Sequence, residues 1–145
     1  MFNTKPSELI AVLHTIDPVE QAPGTIITPW VEMPSFHTLL VMIQTGVLAA
    51  DATVNAKLEQ ATDASGSNTK DIVGKAITQI EQEDNGSNRQ VLIDLRGEDL
   101  DTANDFVFVR LLLTVAQASG LVAAQLLGVN PRYAPASQPV VTEIV

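Results

Sequence analysis

Two histidines, 17 carboxylates and eight cationic side chains are the groups with which this 145-residue chain could do acid–base or metal chemistry. His14 lies inside an apolar stretch and His37 opens another. Neither has a second histidine at metal-ligand spacing, and the chain contains no cysteine to complete a site. Both read as packed or strand-end histidines. The carboxylates gather in two polar stretches, Glu81, Glu83 and Asp84 in one and Glu98, Asp99, Asp101 and Asp105 in the other. Paired carboxylates could hydrolyse a glycoside, and clustered carboxylate oxygens could hold calcium. Neither stretch keeps the D-x-[DN]-x-[DN]-G spacing of a calcium loop, and both are crowded with other polar residues, as solvated loops are. The nucleophile elbow G-x-S-x-G, a phosphate-binding glycine loop and a dinucleotide fingerprint are all missing from the sequence. The expectation is a protein that is not an enzyme, with no catalytic residue, cofactor or metal.

The elements that would carry these residues read as strands. In 106–115 (FVFVRLLLTV), Val107, Val109, Leu111, Leu113 and Val115 recur at a spacing of two and share one face. The opposite face carries Phe106, Phe108, Arg110, Leu112 and Thr114 and is only partly polar. This strand and the one up to Tyr133 are expected to lie side by side, joined at Ala118-Ser119-Gly120, with something covering both faces. The run 36–48 (FHTLLVMIQTGVL) reads as a central strand covered on both sides. The run 52–60 (ATVNAKLEQ) alternates cleanly, and the short link Ala49-Ala50-Asp51 predicts a hairpin between the two. Further strands are expected at 9–16, at 25–33 with Pro29 placing it at an edge, at 75–81, and at 89–96 with Val91, Ile93 and Leu95 inward. Asp17-Pro18 and Ala22-Pro23-Gly24 read as breaks, and 63–71, 81–88 and 97–105 as loops.

Eight short strands with turn signals between them and no clear helix predict an all-β fold. The expected form is an antiparallel two-sheet β-sandwich of the jelly-roll kind, with a closed barrel as the alternative. Residues 1–8 form an N-terminal arm, 9–135 the sandwich domain and 136–145 a C-terminal arm, docked or extended because Pro135 and Pro139 prevent a regular central strand. The net charge of −9 argues against nucleic acid, which needs clustered cations. Apolar runs stay well below the roughly 20 residues of a membrane helix. The first residues lack the basic start and the small-residue cleavage site of a signal peptide. With 46% hydrophobic and only 17% charged residues, apolar surface is left over for a neighbouring subunit. Aromatic residues make up only 4%, so the exposed rings of a glycan-binding face are scarce; Trp30 and Tyr133 are the only ring-plus-polar anchors.

Several segments, in order, resemble a family of small head-associated virion proteins of tailed bacteriophages and gene transfer particles. They are FHTLLVMIQTGVL at 36–48, VNAKLEQATDASGS at 54–67, IVGKAITQI at 72–80, FVFVRLLLTV at 106–115 and LLGVNPRYAP at 126–135. The likeness spans residues 36–135. It implies a non-enzymatic β-sandwich subunit on the virion. The expected role is capsid decoration: a cement protein on the outer surface of the head, binding the major capsid protein and itself, as a trimer, and tying neighbouring capsomers together. A head-fibre or spike base and a head–tail junction protein are the alternatives, and a glycan- or receptor-binding module is a further one. Expected capsid contacts are Phe2, Pro6 and Leu9 in the N-terminal arm and Pro139 and Ile144 in the C-terminal arm. Trp30, Phe106, Phe108 and Tyr133 are expected at subunit contacts or in ordinary packing.

Overall fold

Strand formation follows the β-branched and apolar runs closely in the computed structural model, which describes residues 3–145. Phe2, one of the expected capsid contacts, lies outside the described residues. A four-residue helix, α1 (Pro6–Leu9), precedes ten strands. These are β1 (Ile10–Gln21), β2 (Gly24–Ile27), β3 (Val31–Glu32), β4 (Phe36–Leu48), β5 (Thr53–Ala61), β6 (Lys70–Ala76), β7 (Ile80–Glu81), β8 (Gln90–Arg96), β9 (Phe108–Ala116) and β10 (Gly120–Pro131). The first sheet has the order β1-β10-β4-β8. The second has β2-β9-β5-β6, with β3 also pairing β9 and β7 also pairing β5. All pairings are antiparallel.

Counting β2 with β3 and β6 with β7 leaves eight strands in two four-stranded layers, each layer interleaving early and late strands. That interleaving is the double Greek key of a jelly roll. The fold is an all-β, two-sheet antiparallel sandwich. Its core forms between the layers from the alternating positions. Leu39, Val41 and Ile43 of β4 and Ile93 and Leu95 of β8 meet Val54, Ala56 and Leu58 of β5 and Val109, Leu111, Leu113 and Val115 of β9. Fully burying each of the larger side chains contributes about 1.5–3 kcal/mol, which sets the register of every strand involved. Of the inward stripes expected in β9 and β8, Val109, Leu111, Leu113, Val115, Ile93 and Leu95 are observed inward. Val91 is half-buried, and Val107 lies half-buried just ahead of β9, while Phe106, expected on the other face, is buried.

The pairing of neighbouring strands differs from expectation in two places. β9 and β10 are not hydrogen-bonded to each other; β9 lies in the second sheet and β10 in the first. Likewise β4 and β5 form no hairpin, because the link at 49–52 crosses from one layer to the other. A jelly-roll corner can be as short as a hairpin loop, so link length alone does not separate the two. The turn chemistry offered a hint, since neither link holds the Asn-Gly or Asp-Gly of a two-residue hairpin. Both corners instead use a single positive-φ residue, Asp51 at 67° and Gln117 at 66°.

Pro18 marks a bulge rather than the expected break, and Pro29 an edge. β1 continues through Asp17-Pro18, with register shifts between Val12 and His14 and between Ile16 and Val19. An edge strand tolerates Pro18 inside such a bulge, because the missing N–H would have faced solvent. Pro29 does split the expected 25–33 strand, at the edge of the second sheet as foreseen. Thr28 bridges the gap: its N–H donates to the Leu111 carbonyl at 3.0 Å, and its buried hydroxyl accepts the Leu111 N–H at 2.9 Å. The expected 75–81 strand is displaced: β6 starts earlier, at Lys70, and only Ile80–Glu81 pair afterwards.

The chain ends are joined to each other. The Ala136 N–H donates to the Glu8 carbonyl at 3.0 Å. Gln138 accepts the Val12 N–H at 3.1 Å through Oε1, and its Nε2 donates to the carbonyls of Ser7 and Ile10. Ala136 closes a second, smaller apolar cluster with Ala11 and Phe36, against which Leu13 packs. The segment after β10 is therefore docked at its start, on α1 and β1.

Candidate functional site

The two layers of the sandwich present unlike faces to the outside. On the second sheet, the outward positions of β9 and β5 are Arg110, Leu112 and Thr114 opposite Glu59, Lys57 and Asn55. Arg110 donates from Nε and Nη2 to Glu59 Oε2 at 2.9 and 2.8 Å. Lys57 Nζ reaches Asp71 at 2.7 Å and Glu59 at 3.4 Å. The hydrogen bond to Asp71, aided by Glu59, raises the Lys57 pKa above 10.5. The Arg110 guanidinium stacks 4.4 Å from the centre of the Trp30 ring. Gly66, at φ 85°, lies against the same indole, where a Cβ would come within 2.8 Å of Nε1. Trp30 is thus engaged by a cation and by backbone, and is no open platform for a sugar ring.

The acidic stretch 97–105 is tied to the body. Lys75 Nζ meets Asp99 at 3.0 Å, and Lys70 pairs with Asp101 while lying 4.0 Å over the ring of the buried Phe106. The Arg96 backbone N–H, together with Lys75, lowers the Asp99 pKa below 3.8. Lys70, with Asn104, does the same for Asp101. Gln60, itself buried, accepts the Asp101 N–H at 2.9 Å. These carboxylates point to lysines and backbone donors, and among the described residues no three His, Asp or Glu side chains gather as a metal cluster would. His14 is half-buried on β1 and His37 is exposed on β4.

The outward face of the first sheet is different in kind. Its two central strands, β4 and β10, hold none of the chain's 25 charged residues (17 acidic plus 8 basic). The outward registers pair Gln125 with Met42, Leu127 with Leu40 and Ala123 with Gln44, and extend through Met42 to Leu92 on β8. Leu92 is 57% exposed, and Met42 and Leu121 are each 41% exposed. Gly46 makes room for Leu121, since a Cβ there would sit 2.8 Å from that side chain's own Cβ. A shallow groove of about 250 Å³, opened by the Asp17-Pro18 bulge, runs past Thr15, Pro18, Met42, Leu92 and Ala123. The stretch 39–43 is therefore covered on its inner face only. No charge interrupts β4 or β10, and that was the sequence signal for this surface.

The other expected contact residues lie mainly at the joined chain ends and at the β3–β9 edge of the second sheet. Pro6 opens α1 and is exposed, as is Leu9. Pro139 lines a small groove with Leu13, Val31 and Phe36 at the docked chain end. Ile144 is exposed, and Tyr133 is 85% exposed beyond the end of β10. Phe108 is half-buried on the outward face of β9, opposite Ala61 and Glu32. Phe108 thus shares the outward face of β9 with Arg110, on which Trp30 stacks, whereas Pro6, Leu9 and Pro139 lie at the joined chain ends. Gln138, which secures the C-terminal segment, was not singled out from the sequence; a lone glutamine between prolines carries no signal there.

No protein-family model matches the chain, and no curated protein matches it. The likeness to phage head proteins over 36–135 thus has no family match behind it. Among solved structures, the chain is similar to one of broad bean stain virus, at 15% identity and a TM-score of 0.42, over 81% of this chain and 67% of that one. It is also similar to structures of the Gx and Gt strains of infectious bursal disease virus. The identities are 12% and 9%, the TM-scores 0.45 and 0.29, and the coverage 93% and 90% of this chain. The chain spans only 38% and 45% of those two chains. Likeness this distant adds nothing to the sheet order, which defines the fold by itself.

Proposed function

We propose that this chain is a structural protein of a virion, and specifically a decoration protein on the outer surface of a tailed-phage head. It binds the major capsid protein and further copies of itself, with three copies at local threefold positions, and ties neighbouring capsomers together against internal pressure. The observation that carries this reading is the uncharged, apolar centre of the first sheet's outer face, on β4 and β10, beside a second sheet whose outer face carries the ion pairs Arg110–Glu59 and Lys57–Asp71. A surface built that way suits contact with protein, which favours apolar, charge-depleted patches, better than it suits nucleic acid. The resemblance of ordered segments at 36–135 to head-associated proteins points the same way. Burial of about 800 Å² per contact makes a stable interface, and many copies on one shell add by multivalency.

Copy number separates this reading from its neighbours. Quantitative mass spectrometry of purified particles should count this chain at the same order as the major capsid protein. A dozen copies or fewer would assign it instead to a head–tail junction, a spike base or a vertex.

A further inference from the structure

We infer that the outer face of the first sheet is where this chain packs against a second copy of itself, sheet against sheet. This deepens the homo-oligomer in the proposed function by naming the surface, and it moves that surface away from Trp30 and Phe106. Three observations select a copy of the chain as the occupant. The first is charge: a chain of net charge −9 meets its own copy with least repulsion where it carries no carboxylate, and the middle of this face, on β4 and β10, is such a place. Charges stand only on the flanking strands, Asp17 and Glu20 (in register with Leu121) on β1 and Asp94 and Arg96 on β8.

The second is area. β10 and β4 are in register over ten residue pairs, in a sheet of four strands. With strands about 4.8 Å apart and about 3.4 Å per residue, the face is roughly 600 Å² before side-chain relief is counted. That is close to the ~800 Å² per partner of a standard protein interface. The third is shape. The exposed apolar side chains Met42, Leu92 and Leu121 come from three adjacent strands, so the face is a continuous sheet surface that another such surface can cover. Two copies related by a twofold axis match the whole face to itself. Three copies about a threefold axis match the β1–β10 half of one face to the β4–β8 half of the next.

The test uses the isolated full chain, so it does not depend on capsid binding. Sedimentation velocity and light scattering should find an oligomer at about 10 µM. Leu92→Asp and Met42→Glu, both at exposed positions, should each shift it to monomer and weaken self-association at least about 100-fold. Circular dichroism and thermal melting report that each variant stays folded. A wild-type monomer at about 100 µM, or folded variants that remain oligomeric, would overturn the inference. A monomer that needs Leu92 to bind particles gives this face to the capsid protein, which ends the self-association proposal and leaves decoration standing. An oligomer dispersed by Leu92→Asp that binds no particle sustains the interface and ends decoration.

Discussion

Glu59 and Arg110 occupy facing outward positions on β5 and β9, and two donors of the guanidinium converge on one carboxylate oxygen. Glu59 is nearly buried, with 11% of its side chain exposed, so removing Arg110 would leave a desolvated charge facing only the more distant Lys57. Arg110→Ala should therefore cost about 2 kcal/mol of unfolding free energy by denaturant titration, more than an exposed surface pair would. The double variant Glu59→Gln/Arg110→Ala should recover part of it, because the orphaned charge is gone; equal losses in both proteins would refute the pairing argument. From the sequence, Arg110 was one polar residue on a half-apolar face. Its partner, 51 positions away, and the indole of Trp30 beneath it become visible only once β5, β9 and the edge segment come together.

Among the elements, the docked end at 136–138 has the most local consequences. Gln138 satisfies an N–H on β1 and two carbonyls near α1, and Ala136 seals the cluster of Ala11 and Phe36. Gln138→Ala should lower stability by about 1–3 kcal/mol, because buried or half-buried backbone groups lose their partners. Truncation after residue 139 should leave the unfolding midpoint nearly unchanged, since Val140, Ile144 and Val145 are exposed. Urea unfolding of both proteins checks this, and a large loss on truncation would mean the final residues also pack. Strand positions were legible in the sequence because a period of two in Val, Leu and Ile is a local property. Strand partners were not. β9–β10 and β4–β5 look like hairpins by link length, yet each pair spans the two layers.

At the level of the whole molecule, the charge balance makes stability depend on acid. Asp99 and Asp101 titrate below 3.8 in the folded chain, held by the Arg96 N–H and Lys75 and by Lys70 and Asn104 respectively. A carboxyl whose pKa is depressed on folding contributes stability above its unfolded pKa, and that contribution is lost as pH falls through the folded value. The raised Lys57 acts oppositely, contributing below 10.5 and losing its effect as pH rises past the folded value. The urea midpoint should stay level between about pH 7 and 5 and decline below about pH 4. Asp101→Asn should flatten that decline; an unchanged profile would mean the Lys70 contact has no net effect.

The sequence by itself determined the all-β class, the sandwich, the inward stripes of β5, β8 and β9, and the edge position of the Pro29 segment. Each follows from local patterning: alternation sets a buried face, and proline removes a ladder donor. It also held, unread, the complete lack of charge in β4 and β10. Only the tertiary structure decided what that lack means. Sheet order places those two strands side by side at the centre of one layer, so that residues some 80 positions apart, such as Met42 and Gln125, become neighbours on a single face. Pairing between distant strands is settled by how both layers close over a common core. A one-dimensional pattern states which face of a strand is apolar, and the packing states whether anything covers it.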